Sequence, residues 1–200
     1  MDGRGMAKRQ KSPDRKEHIV SETCTLILEY GLSGTTTARI AARVGVTEAA
    51  LYRHFKNRHE ILLAVFEQVA IRFLGVLISD EENVPDYIRS ISQALYRYLM
   101  SHPDDAKLIY EFICAPPAES LRSKLQNRLM EVLVFLEQLL SKGISQGSIR
   151  PDINPRRIAW ELFGLGSAIS FAAMLDFQEE LSEDLAMTSL EEFVGRIRAD

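Results

Sequence analysis

Between Thr36 and Arg58 the chain gathers side chains suited to gripping a polyanion. Thr36, Thr37, Arg39, Arg43, Thr47, Tyr52, Arg53, His54, Lys56 and Arg58 can all donate a hydrogen bond, and five of them carry fixed positive charge. Phosphate oxygens accept hydrogen bonds and repel acidic groups, so such a surface fits a nucleic-acid backbone. Thr47, Glu48, Ala49, Ala50 and Arg53 lie where base edges can be reached. Glu48 can accept from a cytosine amino group, Arg53 can pair with guanine, and the alanine methyls can touch thymine.

These groups need a scaffold that presents them together. Ile40, Ala41 and Val44 repeat at helical spacing, Gly45 interrupts, and Val46, Ala50 and Leu51 resume on a second helix reaching Phe55. Thr47 suits its N-cap, and Gly45 can take the backbone angles of a sharp turn. Two short helices crossing steeply through such a turn form a helix-turn-helix, whose second helix enters a DNA major groove. An ordinary helical hairpin is the plain alternative, and the donor-rich surface argues against it.

The order GVTEAALYRHFKNRHEIL, with the preceding Thr36-Thr37 pair, closely resembles the DNA-binding domain of the TetR/AcrR family of bacterial transcriptional regulators. The likeness covers residues 13–65 and rests on the Gly-Val turn, the Leu-Tyr-x-His-Phe end of the reading helix and the Lys-Asn-Arg that follows. It implies backbone contacts from Thr37, Tyr52, Lys56 and Arg58, within a surface that also holds Thr36, Arg39 and His54. The rest of the chain agrees with the family in length and helical layout.

The chain carries −4 overall, unevenly shared. Residues 1–58 hold 11 Lys and Arg against 6 Asp and Glu, whereas 59–200 hold 13 against 22. A basic head on an acidic body grips DNA with one end only. Cys24 and Cys114 sit singly inside apolar helical patterns, read as small core residues of a cytoplasmic, reducing setting. The opening MDGRGMAKRQKS is basic without an apolar core, so no secretory leader is expected. A small helical enzyme is the competing class, and little supports it. The four histidines make no metal-binding spacing, no nucleophile setting is visible, and Asp104-Asp105 reads as solvated surface. No metal and no cofactor are expected.

Cap, proline and glycine signals divide the chain into about nine helices with no strand. The expected fold is all-α: a basic arm over 1–11, a three-helix DNA-binding domain over 12–57, and a larger helical effector-binding and dimerisation domain over 58–200. Helix one starts at Ser12-Pro13 and stops at Gly31. Asn57 with Glu60 has capping-box spacing, so helix four begins near Arg58 and serves as a lever between the domains. Helix nine is placed over Ser189–Arg198, with an earlier start open.

Helix eight has one charge, Glu161, between Ile158 and Leu175, so it must be buried on all sides. Its small residues make it a poor membrane span. One stripe, Leu162, Gly166, Ile169, Ala173 and Phe177, suits a two-fold contact with a second copy, joined by Phe193 and Ile197 of helix nine. The other, Trp160, Phe163, Ser167, Phe171 and Met174, suits a cavity wall, and the two roles can be exchanged. One reading helix covers few base pairs, so a homodimer on an inverted-repeat duplex is expected. With the family resemblance, Phe66, Phe73, Tyr96, Met100, Tyr110, Phe135, Trp160, Phe163, Phe171 and Met174 are candidates to line a cavity for an apolar small molecule. Tyr96, Tyr110, Arg97 and Glu161 would be its polar anchors. The implied function is a repressor released by that molecule. The alternative is a DNA-binding factor of the same fold without an effector.

Overall fold

The computed structural model describes residues 12–114 and 119–199. Nine helices make up the described residues: α1 (Ser12–Gly34), α2 (Thr37–Val44), α3 (Glu48–Leu51), α4 (Arg58–Val76), α5 (Val84–Ser101), α6 (Pro103–Cys114), α7 (Glu119–Ser145), α8 (Pro155–Met174) and α9 (Glu183–Ile197). No strand occurs among them, and no helix is long and apolar enough to cross a membrane. The basic arm expected over 1–11 lies outside the described residues.

Two compact units divide after Glu67. The division falls inside α4, which gives its first half to one unit and its second half to the other.

In the first unit, Ile19, Leu26 and Ile27 of α1 are buried, as are Ile40, Ala41 and Val44 of α2, Leu51, Phe55, and Ile61, Leu62 and Val65 of α4. Gly31 breaks α1 with φ 67°, where the sequence places the stop, although one helical turn resumes beyond it. The buried Thr35 hydroxyl closes that turn by donating to the Gly31 carbonyl at 2.8 Å. Tyr30 of α1 is exposed and carries the Arg39 guanidinium over its ring at 4.5 Å.

In the second unit, α5, α7, α8 and α9 close around one cluster that includes Ile88, Leu140, Ile158, Leu162, Phe193 and Ile197. A second cluster joins Tyr96 and Leu99 of α5 to Ala106 of α6, Ile169 and Ala173 of α8 and Ala186 of α9. Gly143 lets α7 meet its neighbours: a Cβ there would strike the Ile149 side chain and lie 3.0 Å from Val84 Cβ. The end of the chain is tied back. Ile149 and Arg198 form an antiparallel bridge, the Arg150 N–H donates to the Ile197 carbonyl at 2.9 Å, and the Ala199 N–H donates to the Ser148 carbonyl at 3.2 Å.

α9 starts at Glu183, earlier than Ser189, because the Ser182 hydroxyl caps it by accepting from the Leu185 N–H. Cys114 is exposed and Cys24 half-buried, which corrects their assignment to the core.

Candidate nucleic-acid interface

The turn between the two crossing helices is built by backbone geometry. Gly45 ends α2 in the left-handed region, at φ 73° and ψ 38°, where a side chain would be strained. Its N–H and that of Val46 return to the carbonyls of Ala42 and Ala41, which satisfies the open end of α2. Thr36 and Thr47 cap α2 and α3, their hydroxyl oxygens accepting from the Arg39 N–H at 3.2 Å and the Ala50 N–H at 3.1 Å. Each keeps its hydroxyl proton for an outside acceptor.

The second helix of the motif is shorter than the expected stretch from Thr47 to Phe55. α3 covers Glu48–Leu51, and the chain continues to Phe55 in tighter turns, with Arg53 N–H to Ala50 and His54 N–H to Leu51. Leu51 and Phe55 face inward, and Lys16 lies over the Phe55 ring at 5.3 Å. Thr47, Glu48, Ala49, Tyr52, Arg53 and Lys56 are exposed, whereas Ala50 and His54 are half-buried. Their common surface thus holds most of the expected backbone-gripping and base-reading groups.

Several cations of this region have protein partners. Arg39 donates to the Gly34 carbonyl at 2.6 Å while stacking on Tyr30. Arg43 pairs with Glu29 and stands 4.0 Å from Glu22, contacts that raise its pKa. Arg58, expected at the phosphate backbone, also has partners within the chain. Its half-buried guanidinium donates to the carbonyls of Thr35, at 2.6 Å, and Leu32, so it knits α4 to the end of α1. Burial lowers its pKa. Thr37 donates its hydroxyl proton to Glu48 at 2.7 Å, joining a residue assigned to phosphate to one assigned to bases.

Asn57 and Glu60 cap α4 as their spacing foretells. The Glu60 N–H donates to Asn57 Oδ1 at 2.9 Å, and the Glu60 carboxylate accepts from the Lys56 N–H.

In the second unit the residues assigned to a cavity do not converge. Phe135 and Phe163 pack on the first cluster. Phe73, Tyr96, Met100 and Met174 belong to the second. Trp160 and Phe171 stand at the surface, and Tyr110 rests its ring against Phe171 at 4.7 Å, whereas Phe66 belongs to the first unit and is fully buried there. Three of the polar anchors hold partners within the chain. The Tyr96 hydroxyl donates to the Leu181 carbonyl at 2.8 Å, Arg97 binds Glu183 at 2.9 Å, and Glu161 accepts from Arg157 at 3.0 Å. A shallow groove open to solvent, lined by Met130, Leu133, Val134, Ala159 and Trp160 with Glu137 and Arg156, runs between α7 and α8.

The stripe expected to meet a second copy lies mostly inside its own chain. Leu162, Ile169, Ala173, Phe193 and Ile197 are buried among α5, α7, α8 and α9 of the same chain. Gly166 is half-buried with Leu95 close by, and only Phe177 is exposed. The open face of α8 carries Trp160, at 52% exposure, and Phe171, at 47%.

Asp105 is a further departure. It is buried and takes Arg72 in a bidentate pair, Nε at 2.8 Å and the second nitrogen at 2.5 Å, and it also accepts from the Tyr98 hydroxyl. Burial, and then the hydrogen bond to Asp105, push the Tyr98 pKa up to about 12. The spacing of Asp105 with Leu108 and Phe112 puts it on the inward stripe of α6, a signal that the adjacent Asp104 obscured.

Residues 19–65 match the model of bacterial regulatory proteins of the tetR family, and residues 107–188 match a tetracyclin repressor-like C-terminal domain. Nucleoid occlusion factor SlmA of Marinobacter nauticus is 28% identical over 152 residues, covering 74% of this chain and 76% of that protein. SlmA of Vibrio vulnificus is 27% identical over 163 residues, covering 80% and 83%. The crystal structure of a TetR transcriptional regulator from Chloroflexus aurantiacus shares the fold at TM-score 0.76 and 22% identity, covering 94% of this chain and 98% of that one. With two models from one family matching the head and much of the helical body, more than half of the chain between them, the protein belongs to the TetR family of DNA-binding regulators.

Proposed function

We propose that this regulator acts as a homodimer on an inverted-repeat duplex, each copy laying α3 in a major groove. The observation that carries the reading is the shared surface of Thr47, Glu48, Ala49, Tyr52, Arg53 and Lys56, exposed around a capped helix whose inner side is anchored by Leu51 and Phe55. Lys56 and Tyr52 grip the backbone, and Arg53 and Glu48 read bases. The second copy docks on the α7–α8 face that carries Met130, Val134, Trp160 and Phe171, large apolar groups left open to water. Selecting bound sequences from random duplex DNA tests this. An enriched inverted repeat is expected, and enrichment of no sequence would overturn it.

A second reading concerns control. A repressor released by an apolar molecule needs a chamber lined by the aromatic residues of the second unit. Those residues fill two separate cores or lie at the surface, and three of the polar anchors are engaged within the chain. This distribution favours a DNA-binding factor of the same fold without a small-molecule effector, a class that also accommodates relatives named nucleoid occlusion factors. A thermal-shift screen of apolar compounds separates the readings. A compound that both raises Tm and lowers operator affinity would establish the repressor.

A further inference from the structure

The surface of the head contains one contact that neither backbone grip nor base reading explains by itself. Thr37, the first residue of α2, donates its hydroxyl proton to Glu48 Oε2, at the first position of α3, across 2.7 Å. A threonine hydroxyl has one proton, and while Glu48 holds it none is left for a phosphate. The carboxylate needs such a partner. A negative group brought against a duplex meets the repulsion of the phosphates and loses its water, so it is tolerated only where donors replace that water. On this protein one donor comes from Thr37, and Oε1 is left to meet a base.

Resting on the DNA-binding reading above, we infer that Thr37 is a specificity-determining positioning residue. It holds the Glu48 carboxylate so that Oε1 faces an exocyclic amino group in the major groove, that of cytosine or adenine. The two residues therefore form one reading unit built across the turn, with Thr37 acting through Glu48. Because α2 and α3 are fixed by Gly45 and two threonine caps, the 2.7 Å contact holds the carboxylate against the rotation that an exposed glutamate otherwise enjoys.

The test is a selected-site profile of the full-length protein and four variants: Thr37→Val, Thr37→Ser, Glu48→Gln and Thr37→Val with Glu48→Gln. Wild type should enrich a motif with an amino-bearing base at one position of each half-site. Thr37→Val and Glu48→Gln should each relax that same position, lowering its discrimination by about tenfold. The double variant should do no more than either alone. Thr37→Ser, which keeps the hydroxyl, should restore the wild-type profile. A Thr37→Val protein with weaker binding and an unchanged motif makes Thr37 a phosphate contact and overturns the inference. So does a Glu48→Gln profile identical to wild type. If wild type itself enriches nothing, the DNA-reading assignment fails and this inference falls with it, whereas a motif indifferent to Thr37 removes only the inference.

Discussion

Arg58 Nε donates to the Thr35 carbonyl oxygen across 2.6 Å, from the first residue of α4 to the end of α1. The Leu32 carbonyl, which also accepts from the Thr35 N–H at 3.3 Å, receives the same guanidinium, and both residues are buried. Unmade hydrogen bonds to buried carbonyls cost about 1–3 kcal/mol. Arg58→Gln should therefore lower the urea midpoint of the head. Operator affinity at a temperature where the variant is folded should keep its salt slope. Lys56→Gln should do the reverse, leaving stability unchanged and reducing the slope by about one phosphate contact. Fluorescence anisotropy at several salt concentrations, beside denaturant melts, distinguishes the two. A reduced slope for folded Arg58→Gln would return that residue to the phosphate-binding set.

The Arg72–Asp105–Tyr98 cluster gives a dependence on alkaline pH. Tyr98 ionises at about 12 in the folded protein, against about 10 for a free phenol. A raised pKa means that the neutral hydroxyl is favoured by folding. The stabilisation is complete below about pH 10 and is lost as pH rises toward about 12. Tyr98→Phe removes that linkage. Urea midpoints at about pH 7 and about pH 11 should fall more steeply for wild type than for the variant. Equal slopes would show that Tyr98 ionises normally.

Asp105 itself should be intolerant of change. Asp105→Ala leaves Arg72 without its bidentate partner, and Arg72 is partly solvated, so the loss is discounted to about 2 kcal/mol. Asp104→Ala, one residue earlier and exposed, should stay within about 0.5 kcal/mol. Thermal melts of the pair decide it.

The two stripes of α8 should separate cleanly. Leu162 is buried within its own chain, so Leu162→Ala should cost about 2–5 kcal/mol without altering association. Trp160→Glu should leave the protomer folded and weaken the proposed dimer, giving a monomer by light scattering at micromolar concentration, a shift of at least about tenfold in Kd. A Trp160→Glu protein that stays dimeric would move the interface elsewhere.

Gly143 offers a test with the sign reversed from habit. Glycine to alanine inside a helix ordinarily stabilises by about 0.5–1 kcal/mol. Here the added methyl meets Ile149 and Val84, so Gly143→Ala should destabilise by about 1–3 kcal/mol. Gly164, also in a helix but with open space around it, should show the ordinary gain.

The all-α layout and the helix-turn-helix were legible because their signals are local. Gly45, Thr47, and Asn57 with Glu60 each act on the backbone within a few residues. Ser182 carries the same kind of cap signal for α9, and it was the later Ser189 that drew the boundary instead. Side-chain partnerships were not legible in this way. Arg58 reaches back to Leu32, Arg72 reaches forward to Asp105, and Arg39 turns onto Tyr30, all choices made by tertiary neighbours. Charge in the sequence counts cations; only packing decides which remain available to an outside anion. The α8 stripes illustrate the same limit. Both are apolar at helical spacing, and periodicity alone cannot say which one meets the chain's own core.

The short bridge between Ile149 and Arg198 makes the residues just after α9 a working part of the body. It stitches the tail of α9 to the turn that launches α8, so removing Arg198 and Ala199 would loosen two helices at once. A fluorophore attached at Arg198 or Ala199 would press against this seam. Such a label would report on its own disturbance before it reported on DNA.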